Sequence, residues 1–555
     1  MPLSRITFGE WTPDQPGTTN GLQRAENVFS KLNGYGRLQS VVDYSENASE
    51  NLNSIVAAKT TTGGTTVFAG GATKLFKLDS SDLSLDNVSK ASRTITNVAR
   101  TSNVATITTS VAHGFSVGDS VTVAATSNTS LNGTFTITVV TSTTFSYSNS
   151  GSDIPSTADT GTVTFAYVTP TDQRWRFTQF GNVVIAANGG NRLQGYNLTS
   201  STTFQDLAAD APQARYVTVV RDFVVSGYIN SSTIYPNRVQ WSALGDESSW
   251  AASATTQADF QDIPDGGAVV GITGGEFGLV LMDRSIHRMS YIGSPLVFQF
   301  DNISRNLGCY EANSIVQYAG TTFFLADDGF YACDGQNIIP IGNEKVNRHF
   351  FEDADEGLLG LMSSAVDPFR KLIIWSYASN SSATPDSLLI YNFQTQRWTS
   401  GKANVSRIAT SATPSVTLEG TDTFGNLETI LSSFDDRVWL NGKAQLAGVK
   451  DAKLVTFSGA TSTAFIETGD IEIPGYTSAI VMAKPIVDNG SASVAVASRR
   501  LLNENVTFGS LVPADAENRV SIRGIGRYHR LQLSPSGSWT TVVGLDVELN
   551  QLGTR

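Results

Sequence analysis

The 555-residue chain is poor in charge, histidine and cysteine. Charged residues make up only 16%, and 50 acidic against 38 basic side chains leave a formal net charge of -12. Binding DNA by neutralising its phosphates needs clustered Lys and Arg, and the sequence has no such stripe. We therefore expect a surface that repels nucleic acid rather than holding it.

The 2 cysteines and 4 histidines are scattered through the chain. Cys309 and Cys333 have no CxxC spacing, so we expect two reduced thiols, while a disulfide between them stays open. The histidines form no HxH or HxxxH pair of the kind that zinc sites use, and they are His113, His287, His349 and His529. The sequence predicts no metal site and no cofactor.

Long apolar segments are also missing. No run of about 18 apolar residues occurs, and residues 1–5 lead into a polar, turn-rich segment without the apolar core of a signal peptide. We therefore expect no membrane-spanning segment and no secretion by the common route.

Thr, Ser, Val and Asn dominate the composition together with 49 Gly. Long Ala/Leu/Glu/Lys stretches are absent, so helices should be few and short, whereas β-branched residues favour strands. The composition indicates an all-β class, and the length indicates two or three domains.

A short apolar strand, a turn and a second strand recur along the chain. Copies begin at Val67, Val183, Phe223, Leu279, Phe323, Leu372 and Leu427. From Val183 onward, the differences between first positions are 40, 56, 44, 49 and 55 residues, which is the spacing of four-stranded propeller blades. We predict a β-propeller of about six or seven blades.

The interval from Val67 to Val183 is too long for one blade. The stretch inside it alternates with a period of two, as at 104–108 (VATIT) and 133–138 (GTFTIT), with turn residues between the runs. We predict a small, separable β-sandwich inserted over residues 92–168.

The strand rhythm changes again after about Val449, where the spacing becomes typical of a sandwich. The predicted units are the N-terminal strands with the first blade (1–91), the inserted β-sandwich (92–168), the remaining blades (169–448) and a C-terminal β domain (449–555).

The clearest blade signal lies at 387–398 (SLLIYNFQTQRW). Its Tyr-x6-Trp spacing, from Tyr391 to Trp398, resembles the kelch-type blade, in which the Trp covers the blade edge. We interpret Trp398 as a packing residue rather than a ligand contact.

Many propellers are hydrolases, so the acidic residues are candidate catalysts. The segment 326–331 (ADDGFY) lacks the Ser and the Trp of a sialidase-type Asp box and does not recur.

Segment 353–357 begins like a calcium loop, but apolar residues follow where oxygen ligands should continue. The acids that would have to supply a glycosidase pair are Asp327, Asp328, Asp334, Asp353 and Glu356. We interpret them as solvated turn residues and predict no catalytic residue and no enzyme activity.

Motifs at both ends resemble the tail nozzle (hub) proteins of short-tailed bacteriophages. They are 8–11 (FGEW), 21–28 (GLQRAENV) and 34–40 (GYGRLQS) at the start, and 526–531 (GRYHRL), 544–548 (GLDVE) and 553–555 (GTR) at the end. The family often has prolines where this chain has 36–39 (GRLQ). Within the insert, 113–121 and 131–135 are similar to a β module recurrent in phage structural proteins.

The resemblance implies a structural virion protein of the tail, assembled in the host cytoplasm. Such proteins form a ring with copies of themselves, typically six, at the distal end of the tail tube. The ring is a conduit and gate for genome DNA during ejection, and the DNA passes without tight binding. The implied neighbours are an adaptor or tail tube and a tail fibre or spike.

Two other functions compete with this interpretation. One is a carbohydrate-binding or glycan-hydrolysing propeller, similar to a tailspike or lectin. The other is a monomeric bacterial surface propeller, which the missing signal peptide disfavours. Fold alone does not separate these functions, because propellers serve many unrelated ones.

Overall fold

A computed structural model describes residues 3–19, 21–413 and 443–553 of the chain. Seven four-stranded antiparallel units surround one central cavity, which is lined by residues from the first strand of each unit or from the segment just before it. The chain is therefore a seven-bladed β-propeller with added β units, and the predicted all-β fold is confirmed.

The blades follow one another along the chain. Blade one contains Leu52–Lys59, Thr65–Gly71, Leu75–Leu78 and Leu85–Asn87; blade two contains Arg176–Phe180, Val183–Ala187, Gln194–Asn197 and Gln205–Asp206; blade three contains Ala214–Val220, Phe223–Asn230, Ile234–Trp241 and Asp259–Asp262. Blade four contains Val269–Thr273, Gly278–Met282, Ile286–Gly293 and Val297–Ser304; blade five contains Val316–Tyr318, Thr321–Ala326, Gly329–Cys333 and Ile338–Pro340. Blade six contains Ser363–Asp367, Leu372–Tyr377, Ser387–Asn392 and Arg397–Lys402; blade seven contains Arg407–Ala412, Ala444–Lys450, Lys453–Thr456 and Val42–Asp43.

The apolar motif that recurs in the sequence is the second strand of blades one to six. This strand is covered by neighbouring blades on both faces, so it reads as a continuous apolar run rather than an alternating one. In blade six, all residues of Leu372–Tyr377 are buried. The copy that begins at Leu427 lies outside the described residues, and Ala444–Lys450 is the second strand of blade seven.

Blade seven is completed by a strand from the other end of the chain. Val42 pairs with Thr456 and Asp43 with Val455, and Lys453 Nζ lies 2.9 Å from Asp43 Oδ2. The sequence placed a domain boundary at 448/449, but this position falls inside the second strand of the blade. Residues 414–442 separate the first two strands of blade seven, and this separation disguised the regular spacing.

The two chain ends form one further unit, which we call the terminal sandwich. One of its sheets contains Ser4–Thr7, Val28–Lys31, Gly34–Arg37, Thr477–Asp488, Val520–Gly526 and Thr541–Gly553; the other contains Arg24–Glu26, Phe465–Glu467, Ser491–Arg499, Val512–Pro513 and Tyr528–Ser536. Both sheets bury side chains in one core, including Ile480 and Leu545 from the first and Val494 and Leu531 from the second.

The N-terminal strands thus do not form a unit with blade one, as the predicted range 1–91 assumed. Ser4–Thr7 pairs along Thr541–Gly553, and Arg24–Glu26 lies between blade six and Phe465–Glu467. Pairing between strands hundreds of residues apart leaves no local pattern in the sequence. The alternation of apolar and polar residues reports only which side chains of one strand are buried.

The inserted unit contains the strands Arg93–Thr101, Val104–Thr109, Ser120–Ala124, Gly133–Val140, Thr144–Ser148, Ile154–Ala158 and Thr162–Phe165. Two of them, Arg93–Thr101 and Gly133–Val140, change partner near a register shift. Strands that switch sheets at bulges make the corners of an orthogonal sandwich. The pairings run in a closed ring of six strands, so the predicted small sandwich closes into a barrel.

The core of the insert continues into blades one and two. Phe165 lies 4.7 Å from Tyr167, and Tyr167 lies 4.9 Å from Trp175, measured between ring centroids. Trp175 donates a hydrogen bond to the Gly71 carbonyl of blade one at 2.9 Å. These contacts oppose the expectation of a separable unit, because removing the insert would expose large aromatic surface.

Helices are few in the described part of the chain, as the composition predicts. Within it they are the α-helix Asn347–Asp353 and the 3-10 helices Thr129–Leu131, Ala312–Ser314 and Glu356–Leu361. Among the described residues, no helix has the length and apolar character needed to cross a membrane.

Candidate functional site

Three of the acidic residues considered as catalysts are exposed in hairpin connections of blade five. Asp327 and Asp328 lie at the tip of one hairpin, where Tyr331 Oη donates to Asp328 Oδ2 at 2.7 Å. Asp334 accepts the backbone N–H groups of Gln336 and Asn337. These three positions match the predicted solvated turn residues. Asp353 does not, because it is the half-buried last residue of the α-helix Asn347–Asp353 and accepts from Tyr377 Oη at 2.9 Å.

Segment 353–357, which begins like a calcium loop, connects the α-helix Asn347–Asp353 to the 3-10 helix Glu356–Leu361. Asp355 caps the 3-10 helix Glu356–Leu361 by accepting from Gly357 N at 2.9 Å, and Glu356 is exposed. Within the described ranges, no group of three His, Cys, Asp or Glu side chains is placed to hold a metal ion.

Both cysteines and His529 are buried. Cys309 and Cys333 are buried, unpaired and packed in one apolar cluster between blades four and five. His529 is fully buried between the two sheets of the terminal sandwich, where Ser478 Oγ lies 2.9 Å from Nε2 and Ser498 Oγ 2.7 Å from Nδ1. Burial lowers the pKa of His529, which keeps its imidazole neutral at pH 7.

The central channel of the propeller holds a group of three arginines. Its cavity has a volume of about 340 Å³, and a second cavity of about 410 Å³ shares lining residues with it. Three arginines line both cavities: Arg174, Arg176 and Arg407. They come from the entry to blade two and from the first strands of blades two and seven.

Two of the three arginines are held in place by polar contacts. Arg176 Nη2 donates to Asn313 Oδ1 at 3.0 Å, and its guanidinium carbon lies 4.6 Å from the centroid of the Tyr216 ring. Arg407 Nη1 donates to the carbonyls of Leu361 at 2.6 Å and Ser406 at 2.9 Å. The Nε atom of Arg407 is buried and has no hydrogen-bond partner within the described part of the chain.

The third, Arg174, has no side-chain hydrogen bond or ion pair among the described residues, although it is partly buried. Burial lowers the pKa of Arg174 well below its usual range, and the nearby charges of Arg176 and Arg407 lower it further. Burial also lowers the pKa of Arg407, to about 10, so that this group still carries its charge at neutral pH.

The negative charge of Glu311 acts on all three arginines and raises the pKa of each. Its carboxylate accepts from Asn313 N at 2.9 Å instead of joining an arginine, and burial raises its pKa. Asp172 at the mouth of the channel lies 3.5 Å from Arg215, so its charge is balanced there. The three arginines therefore carry more positive charge than the nearby carboxylates neutralise.

Sequence reasoning missed this group. Arg174 and Arg176 stand two positions apart, a spacing that places both side chains on one face of a strand with Trp175 on the other. The sequence therefore contained the signal for Arg174 and Arg176. It contained no signal for Arg407 lying close to them, because that position depends on closure of the propeller between its seventh and first blades.

No protein-family model matches the chain, and no curated protein matches it. Solved structures with some similarity include the N-terminal domain of Nup159, with a TM-score of 0.32, 8% identity, and coverage of 78% of this chain and 98% of that one. The computationally designed Ika8 protein has a TM-score of 0.30, 12% identity, and coverage of 75% and 98%. The endosialidase of phage phi92 has a TM-score of 0.21, 13% identity, and coverage of 58% and 63%. Similarities this weak say nothing about function.

Proposed function

We propose that this chain is a structural protein of a short phage tail, a subunit of the nozzle ring through which the genome leaves. The observation that carries the proposal is the terminal sandwich. The motifs that resemble nozzle proteins lie at opposite ends of the sequence, yet described residues from both ends meet in this one unit, while Thr554 and Arg555 lie outside the described residues. Tyr35 pairs with Val542, and its Oη donates to the Gly9 carbonyl at 2.6 Å.

The terminal sandwich is also firmly joined to the propeller. Glu26 pairs with Ser400 of blade six, and Asn27 Oδ1 accepts from Lys402 N at 2.8 Å. Trp375 and Trp398 of blade six share one core with residues of both sandwich sheets. A rigid joint of this kind suits a wall that must keep its shape while DNA moves past it.

The charge balance is compatible with a conduit. A duplex in transit must not be held by persistent phosphate contacts, and a net charge of -12 disfavours them. The arginines of the propeller channel do not oppose this, because cavities of about 340 and 410 Å³ are of small-molecule size. The wider DNA conduit would be the space enclosed by several subunits.

Duplex DNA affinity tests the conduit proposal in solution. We expect the full chain to bind duplex DNA more weakly than ~10⁻⁴ M even at about 50 mM salt, where phosphate contacts are strongest. Fluorescence anisotropy with a labelled duplex measures this affinity across salt concentrations. Tight binding with a steep salt dependence would reject the conduit.

Glycan cleavage tests the competing tailspike function. Incubation with host polysaccharide should release no reducing sugar. Release that disappears in D327N or D328N, with the exposed D301N as the matched control, would replace the nozzle proposal by a glycan-hydrolysing propeller.

A further inference from the structure

We propose that the propeller channel binds a small tetrahedral oxyanion of the phosphate class between Arg174, Arg176 and Arg407. This function is independent of the ring and of DNA passage. It follows from charges that the protein itself does not neutralise.

The charges of the described lining residues do not balance. Three guanidinium groups line both cavities, and the acidic side chains of the lining are Asp172 and Glu311. Asp172 pairs with Arg215 at 3.5 Å, whereas Glu311 has no ion pair among the described residues. Three positive charges less one negative charge leave two, so one dianion would neutralise the group. The nearby charges of Arg176 and Arg407 also lower the pKa of Arg174, as repulsion between like charges does.

Two of the three guanidinium groups have donors without a described partner. Arg407 Nε is buried and has no hydrogen-bond partner within the described residues. A buried polar group without a partner costs about 1–3 kcal/mol, more when it is charged. The half-buried Arg174 side chain makes no hydrogen bond or ion pair to a described residue. Guanidinium groups at the wall of a cavity can donate hydrogen bonds to the oxygen atoms of a ligand.

The three arginines reach the channel from two different blades. Arg174 and Arg176 belong to blade two and its entry, and Arg407 belongs to blade seven. Arg176 Nη2 is held by its hydrogen bond of 3.0 Å to Asn313 Oδ1. Donors from separate blades meet an anion from different sides. A tetrahedral anion offers acceptors on all sides, whereas a carboxylate accepts in one plane, and the arginine fork fits either group.

Isothermal titration of the full chain with inorganic phosphate at pH 8, against sodium chloride of equal ionic strength, tests the site. We expect one phosphate per chain and a higher melting temperature in phosphate than in chloride. R174Q should weaken phosphate binding at least tenfold. The matched control R305Q removes an exposed arginine of the segment after blade four and should bind like the original protein.

Stability separates loss of the site from loss of the fold. In chloride, R174Q should melt at the same temperature as the original protein or higher, because it removes an unneutralised charge. If R174Q does not fold, R174K is the second variant. It keeps the positive charge but lacks the paired N–H donors of a guanidinium, so it should bind phosphate at least fivefold more weakly than the original protein. No phosphate binding, or equal binding by R174Q and R305Q, would overturn the site. Malonate binding tenfold tighter than phosphate would overturn the phosphate class.

Discussion

At the scale of single residues, Lys90 is a buried cation held between two carboxylates and an aromatic ring. Its side chain is fully buried, with Nζ 2.9 Å from Asp119 Oδ2 of the insert and 2.8 Å from Asp206 Oδ1 of blade two. The same nitrogen lies 4.5 Å from the centroid of the Phe165 ring. Lys90 therefore fixes the insert to the propeller by charge as well as by packing.

Replacing Lys90 by Met should lower the free energy of unfolding by about 3–5 kcal/mol, because two buried carboxylates lose their cation. The loss should shrink as the pH falls from 7 to 5. Burial already raises the pKa of Asp119, and without Lys90 protonation of this group stabilises the folded state. Urea unfolding at both pH values measures the effect. The exposed K484M is the control and should change stability by less than about 0.5 kcal/mol.

Trp398 joins blade six to blade five. It is fully buried, donates from Nε1 to the Ile341 carbonyl at 2.8 Å, and lies 5.6 Å from Trp375 between ring centroids. Truncation to Ala should cost about 3–5 kcal/mol in thermal or chemical unfolding. W398F keeps most of the packing and should cost less. A cost below about 0.5 kcal/mol for W398A would contradict the packing role.

Burial lowers the pKa of all four histidines: His113, His287, His349 and His529. A depressed folded-state pKa means that the unfolded chain takes up protons first, so stability is lost as the pH falls below about 6.5. Each histidine should contribute a slope of up to about 1.4 kcal/mol per pH unit in that window. H529Q should reduce the slope relative to the original protein. Stability that stays constant from pH 7 to 5 would contradict neutral, buried histidines.

At the scale of elements, the insert and blades one and two share one core. Replacing residues 92–168 by a short Gly/Ser linker should therefore lower the melting temperature and expose Trp175, which is now 2% exposed. Differential scanning calorimetry and tryptophan fluorescence check both effects. A deletion variant that melts like the full chain, with unchanged emission, would show that the insert is separable after all.

The second strands of blades one to six were readable from the sequence because both faces of each are buried. The strand Val42–Asp43 was not readable, since two residues carry no periodicity and their partners Val455 and Thr456 lie at the far end of the chain. The position of Arg407 beside Arg174 and Arg176 was not readable for the same reason. Closure of the propeller brings Arg407 to the other two arginines, whereas sequence patterns report what one strand buries.

At the scale of the whole molecule, the two chain ends meet twice, in blade seven and in the terminal sandwich. These pairings join the propeller to the motifs that resemble nozzle proteins. A ring subunit needs a heterologous interface on each side, and closure of the ring limits its growth. Such a ring would place acidic surfaces around a shared conduit, which is the central claim of the proposed function.

Negative-stain imaging of the full chain, purified alone and together with adaptor and tail tube proteins of a short-tailed phage, tests this claim most directly. The account predicts class averages of a closed ring, typically of six subunits, with an open central channel wide enough for duplex DNA. Single propeller-sized particles in both preparations would contradict it.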